Sequence, residues 1–424
     1  MHLSIFCRAP ACPLSMFLFF SLSLHAAEPV ASRTVNVEEC LARVAERSPE
    51  LKAGTYKNEA AISRAKQAAR RLNPRLETEI ENIAGTGDFE GFRAAESTVA
   101  VVQEFELGDK RRHRTAAGEA EAAVIRASQT ARRSELLFDA RRAVLVVLSA
   151  QEKVLLAVET LALVRETEAV ARAREQAGKT TVMETERART ETARAVLDVQ
   201  DRQADQQDAV RDLALCWGET EPTFNAVAGS LDTPTAGLPP LDTLLLQAAE
   251  NPALLAADAQ TRAFEARIRT EEAARLPNLE VAAGMRHFEE SGDFGLVAGI
   301  SVELPLVNRN RDAVRAAGAE AEASRMEADA ARLKNENLLR RLYVRLEALA
   351  AKDARLRDTV IPSSERALAF VKQAHEQGKA GYLDVLEARR TVSETRLEVI
   401  NASTEYHTCR IEMERICSSA PVTR

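Results

Sequence analysis

Two hydrophobic spacings succeed one another along this chain, and the succession occurs twice. Leu76, Thr78, Ile80 and Asn82 are interleaved with Glu77, Glu79 and Glu81, and Val99, Val101, Gln103, Phe105 and Leu107 with Ala100, Val102, Glu104 and Glu106. In the second half, Leu279, Val281, Ala283 and Met285 alternate with Glu280, Ala282, Gly284 and Arg286. Phe294, Leu296, Ala298, Ile300, Val302, Leu304 and Leu306 alternate with smaller or polar residues, Ser301 and Glu303 among them. A period of two gives each strand one apolar and one polar face. It predicts β-hairpins over 74–107 and 278–306. A helix is predicted before each hairpin, over about 37–71 and 241–275, and a very long helical run after it, over 110–176 and 309–377. Only Gly118, Gly318 and Pro362 interrupt the long runs. At 1.5 Å per residue each extends about 100 Å, so these helices need partners alongside them.

The two halves are duplicates. Ser48-Pro49-Glu50-Leu51 recurs as Asn251-Pro252-Ala253-Leu254, Leu72-Asn73-Pro74-Arg75-Leu76-Glu77 as Leu276-Pro277-Asn278-Leu279-Glu280, and Gln176-Ala177-Gly178-Lys179 as Glu376-Gln377-Gly378-Lys379. Equal spacing in the same order marks duplicated half-proteins, unlike the short period of a solenoid. The repeats are read as 28–217 and 241–417. A linker over 218–240, rich in Pro and Gly, joins them, and a tail over 418–424 follows.

Residues 1–27 read as a secretory signal. Arg8 precedes the apolar run 14–24, and Ala26-Ala27 offers a small-residue cleavage site. Cys12 stands before the apolar run, badly placed for lipid attachment, so the mature chain is expected to be unacylated. The remainder is rich in Ala, Arg, Glu and Leu and poor in aromatics, the composition of long helices. A net charge of -7 excludes the dominant basic stripe of a nucleic-acid binder. Cys40, Cys216, Cys409 and Cys417 remain after cleavage. A disulfide from Cys216 or Cys417 to Cys40 and buried free thiols are both open.

The strands carry the strongest physical argument. The plain alternative is a half-buried sheet in a soluble domain, yet no other segment is available to cover the apolar face, and the chain is exported. If that face meets lipid, the sheet must close, because an open edge would strand backbone N–H and C=O groups in hydrocarbon. Four strands are too few, since membrane barrels start at eight. Two copies would supply a minimal filled barrel, and three would supply twelve strands around a lumen. With the apolar faces outward, Glu77, Glu79, Glu81, Glu104, Glu106, Glu280 and Glu303 look inward, with Arg286 as the only opposing charge. A strongly electronegative, cation-favouring lumen is expected.

No catalytic constellation is present. His113, His287, His375 and His407 are scattered, without H-E-x-x-H, C-x-x-C or a P-loop. The chain is therefore read as no enzyme, with no cofactor and no defined metal site.

Where strand passes into long helix, Val102-Gln103-Glu104-Phe105-Glu106-Leu107-Gly108-Asp109-Lys110-Arg111 and Leu304-Pro305-Leu306-Val307-Asn308-Arg309-Asn310 resemble the two strand exits of the TolC family of outer-membrane efflux proteins. The Asn-Arg-Asn form is most similar to the CzcC-like heavy-metal branch. The resemblance implies a fold that is mainly α with a small β-barrel portion: a TolC-like duplicated protomer with a long α-helical coiled-coil tunnel. It further implies a homotrimer sharing a twelve-stranded barrel in the outer membrane of a Gram-negative bacterium, with helices extending into the periplasm. As implied partners come a periplasmic adaptor (membrane fusion protein) and an inner-membrane resistance–nodulation–division pump, for which the channel is the passive exit duct of metal cations. Gly178 and Gly378 match the family's periplasmic tip turns, and Lys179 and Lys379, with Arg172, Arg174 and Lys372 nearby, offer cations to an adaptor. Asp384 and Glu387, three apart on one helix face, look like the family's carboxylate gate, with Glu184 the corresponding acid of the first tip. A drug or organic-solute channel of the same fold, and a periplasmic coiled-coil adaptor or scaffold, are the competing readings.

Overall fold

The computed structural model describes residues 33–233 and 237–418. The signal segment 1–27, part of the linker and most of the tail therefore lie outside the described residues. The first repeat runs β1 (Thr34–Asn36), α1 (Val37–Arg47), α2 (Pro49–Ala68), β2 (Arg75–Glu81), β3 (Glu96–Phe105), α3 (Lys110–Gln176) and α4 (Val182–Leu215). After β4 (Ala226–Ala228), the second runs α5 (Leu241–Ala248), α6 (Pro252–Ala273), β5 (Leu279–Phe288), β6 (Phe294–Val302), α7 (Arg311–Arg355), α8 (Ile361–Glu376) and α9 (Tyr382–Cys417).

The structure corrects the sequence reading at four places, each with a proline at its root. The single helices expected over 37–71 and 241–275 are both broken. Ser48 and Asn251 take extended ψ angles of 120° and 131°, and Pro49 and Pro252 open the following helices. A residue before proline is pushed out of the helical region, while proline itself suits the first helical position. The second long run is also not uniform. A π-helical turn over Leu356–Val360 separates α7 from α8, immediately before Pro362. Proline lacks the N–H that would bond four residues back, so the helix widens at that point. Arg357 inside this turn donates to Asp353 Oδ2 (2.9 Å) and Ser403 Oγ (3.1 Å), and Ser403 Oγ donates to Asp353 Oδ1 (2.9 Å), so the buried carboxylate is satisfied. Finally, β6 ends at Val302, ahead of Leu304 and Leu306, because Pro305 cannot continue a ladder.

By contrast α3 is one continuous helix of 67 residues. Gly118 lets α2 approach it closely: a Cβ there would lie 3.1 Å from Ala68 Cβ and 3.3 Å from Ala65 Cα. Two equivalent cores sit where the repeats begin and end. One gathers Val35, Cys40, Val44, Val147, Leu213, Trp217 and Phe224 around the parallel β1–β4 pair. The other gathers Leu244, Leu339, Leu346, Tyr406 and Ile416. Each fully buried aliphatic side chain contributes roughly 1.5–3 kcal/mol. All four described cysteines are free thiols, Cys40 within the first core. His407 on α9 secures the linker by donating from Nε2 to the Asp232 carbonyl (3.2 Å).

The two hairpins join into one four-stranded antiparallel sheet in the order β2-β3-β5-β6. β3 and β5 pair across the duplication, and β2 and β6 are left as open edges. Among the described residues no helix is long and apolar enough to cross a membrane.

Candidate functional site: sheet face and helix tips

Register fixes which side chains share a face of the sheet, because directly paired residues point the same way. Leu76, Ile80, Val99, Val101, Met285, Phe294, Leu296 and Ile300 lie on one face, all well exposed, with Leu296 at 90 % and Ile300 at 77 %. This is an apolar surface with no protein against it. On the other face Thr98, Ala100 and Val102 of the central strand are buried. Gly284 pairs with Ala100 so closely that a Cβ would stand 2.7 Å from Ala100 Cα.

Two arginines shelter that polar face. Arg75, at the start of β2, donates from Nε to Glu77 (2.7 Å) and reaches over β3 to grip Glu280 on β5 through Nη1 (2.9 Å) and Nη2 (3.0 Å). Arg286 on β5 reaches back the opposite way, to Thr98 Oγ1 (2.9 Å) and Glu96 (2.6 Å) on β3 and Glu81 (2.9 Å) on β2. Arg286 is therefore not the only cation facing these acids. Arg75 has the same parity as Glu77 and was missed because it precedes the first apolar position. Glu96, paired with Glu81 in the register, was missed likewise. Glu104 accepts from Asn278, whose carbonyl accepts from Lys110, tying the start of α3 to the start of β5. Glu106 lies beyond β3 and does not line the sheet. It pairs with Arg114, which also donates to the Ala68 and Arg70 carbonyls (2.8 and 3.0 Å) and so caps the end of α2. Glu303 lies just past β6. Among the described residues Glu79 and Glu303 are exposed and make no ion pair.

At the far end of the helices both tips close by the same device. Gly178 and Gly378 take φ of 68° and 73°, a region open to glycine without strain. Gly178 N donates to Glu175 O and Lys179 N to Arg174 O, while Gly378 N donates to His375 O and Lys379 N to Ala374 O, all within 2.8–2.9 Å. This is the paired-bond Schellman arrangement, which satisfies carbonyls a helix end leaves open. Lys179 and Lys379 are exposed in these turns. Asp384 accepts the Gly381 N–H (2.7 Å), so it caps α9 from the N3 position, and Glu387 stands exposed one turn further on. Tyr382 and Val385, on the opposite side of α9, are buried, and Tyr382 packs with Ala171 and Ala188. Glu184 behaves differently from its counterpart: it is half-buried and accepts from Thr180 Oγ1 in its own turn. The structure therefore brings Asp384 and Glu387 together on one surface. Arg389, also unflagged by sequence, donates to the Leu163 carbonyl, and burial pulls its guanidinium below the usual range. Among the described residues no three His, Cys, Asp or Glu side chains are grouped to hold a metal ion.

The family model for outer membrane efflux proteins matches residues 40–219 and 245–417, one segment for each repeat. The chain belongs to this family. Members are transport ducts, which places the apolar face of the sheet in the outer membrane and the helices in the periplasm. The cobalt-zinc-cadmium resistance protein CzcC of Cupriavidus metallidurans is 28 % identical over 81 % of this chain and 80 % of its own length. The nickel and cobalt resistance protein CnrC of the same organism is 29 % identical over 69 % of each. In three dimensions the chain is similar to a crystal structure of CusC, with a TM-score of 0.76 at 16 % identity over 94 % of this chain and 96 % of that one.

Proposed function

We propose that this efflux-family member is the outer-membrane exit duct of a tripartite export system for divalent metal cations. The observation that carries the architecture is a four-stranded sheet with two open edges and one bare apolar face. In lipid such a sheet must be completed by other copies, and three give twelve strands around a water-filled lumen. The cargo reading rests on the kinship with cobalt, zinc, cadmium and nickel resistance proteins. An inner-membrane resistance–nodulation–division pump supplies the energy, and a periplasmic adaptor meets the tips around Gly178-Lys179 and Gly378-Lys379.

Two site readings belong with this proposal. Asp384 and Glu387, two from each of three copies, ring the inner mouth and attract cations there. In the barrel, the two arginines offset only two of the four carboxylate charges they contact (Glu77, Glu280, Glu81 and Glu96), so the lumen stays net negative, with Glu79 an acid unpaired among the described residues within it and Glu303 near its inner rim. The test is a gene deletion and its complementation on graded cobalt, zinc, cadmium and nickel. Metal sensitivity reversed by the intact gene supports cation export. Unchanged metal tolerance with increased drug sensitivity would transfer the cargo to organic solutes. Planar-bilayer reversal potentials test the lumen: cation preference reduced by Glu79→Gln is expected, and anion preference in the unaltered channel contradicts it.

A further inference from the structure

His375 occupies the last turn of α8 and holds the two tips of one protomer together. Its ring Nδ1 lies 2.9 Å from the Ala380 carbonyl, and a carbonyl only accepts, so Nδ1 carries the proton. Its Nε2 lies 3.0 Å from Nη1 of Arg174 on α3, and a guanidinium only donates, so Nε2 offers a lone pair. The same Nη1 is 3.2 Å from the His375 carbonyl, which already accepts the Gly378 N–H at 2.9 Å. Both partners together require a neutral imidazole in one tautomer.

We infer that His375 is a proton-operated clasp between the tip of the first repeat and the tip of the second. Adding a proton at Nε2 converts the acceptor into a donor facing a permanent cation. The Arg174 bond is then lost and replaced by repulsion between like charges, while the Ala380 bond survives. Other charged groups of the surrounding elements do not take Arg174's place. Glu175 is its neighbour on α3, and Lys372 and Glu376 lie on α8 itself. Lys379 is engaged with Gln377 (2.9 Å) and Asp384 with the Gly381 N–H (2.7 Å). Arg174 is the one charged side chain in hydrogen-bonding contact with the ring among the described residues. Imidazoles as a class change charge between pH 5 and 8, a range the periplasm shares with its surroundings. Acid therefore loosens α3 from α8 at the tunnel's inner end; that location rests on the channel reading proposed above.

The test uses the full-length trimer. Histidine-selective 15N spectra between pH 8 and 5, assigned with His375→Gln, should show His375 as the Nδ1–H tautomer at high pH. In Arg174→Gln the facing cation is gone, so protonation of the ring no longer meets a like charge and the acid response of the channel should shrink. In bilayers, the open probability should rise several-fold when the periplasmic side is acidified, and His375→Gln should abolish that rise. An Nε2–H tautomer at high pH, or an acid response left unchanged by His375→Gln or by Arg174→Gln, would overturn the inference. Absence of any channel current at every pH would count against the channel reading instead, and the spectra would still decide the clasp.

Discussion

Arg286→Gln removes the clasp that joins three strands, and its cost can be worked from the contacts. The guanidinium is 27 % exposed, and its partners Glu96 and Glu81 are 25 % and 42 % exposed. The better-buried charge-assisted bond to Glu96 is worth about 1.5 kcal/mol, and the more exposed Glu81 pair about 0.5 kcal/mol. The total is about 2 kcal/mol per protomer. Glu81 and Glu96 are direct register partners, so the substitution also leaves two carboxylates facing one another across the strands. With an unfolding entropy near 2.1 cal/mol/K per residue, about 2 kcal/mol over a chain of this length lowers the midpoint by roughly 2–3 °C. The assay is a thermal melt of the detergent-solubilised trimer, read by loss of the heat-resistant band and by calorimetry. In an E81Q/E96Q background the same substitution should cost much less, because the orphaned charges are gone. Equal losses in both backgrounds would refute the clasp.

Gly284→Val places a branched side chain 2.7 Å from Ala100 Cα, which breaks the β3–β5 pairing that joins the two repeats; overpacking of about 1–3 kcal/mol should appear as reduced trimer in outer-membrane fractions, with helical content retained by circular dichroism. Burial holds the His407 imidazole below its ordinary range, so the unfolded chain binds that proton more readily; stability conferred by the neutral ring is present above about pH 6.5 and lost as pH falls below it, and His407→Gln should flatten that part of a urea-midpoint profile. Burial also pushes the Cys40 and Cys417 thiols up to about 11, so both should resist thiolate-directed alkylation at pH 8 in the folded protein and react fully after denaturation, as mass spectrometry would record.

The sequence disclosed the sheet and the tips because their signals are local. Period-two alternation is readable wherever one face of a strand is apolar, and a glycine that ends a long helical run announces its turn. What it concealed was relational. The breaks at Ser48-Pro49 and Asn251-Pro252 were visible as repeat markers, yet the surrounding helical periodicity masked their steric consequence. The pairing of Glu280 with Arg75 and of Glu81 with Arg286 depends on each arginine crossing β3, which is evident only once register is known. Likewise His375 looked like one of several scattered histidines until the fold set Arg174 beside it, 201 positions away in the chain.

Electron cryomicroscopy of the protein in lipid nanodiscs tests the central claim most directly. The account predicts three copies joined β6 to β2 in one twelve-stranded cylinder, with Leu296 and Ile300 against the lipid. A lone subunit whose Leu296 and Ile300 face is packed inside its own fold would contradict it.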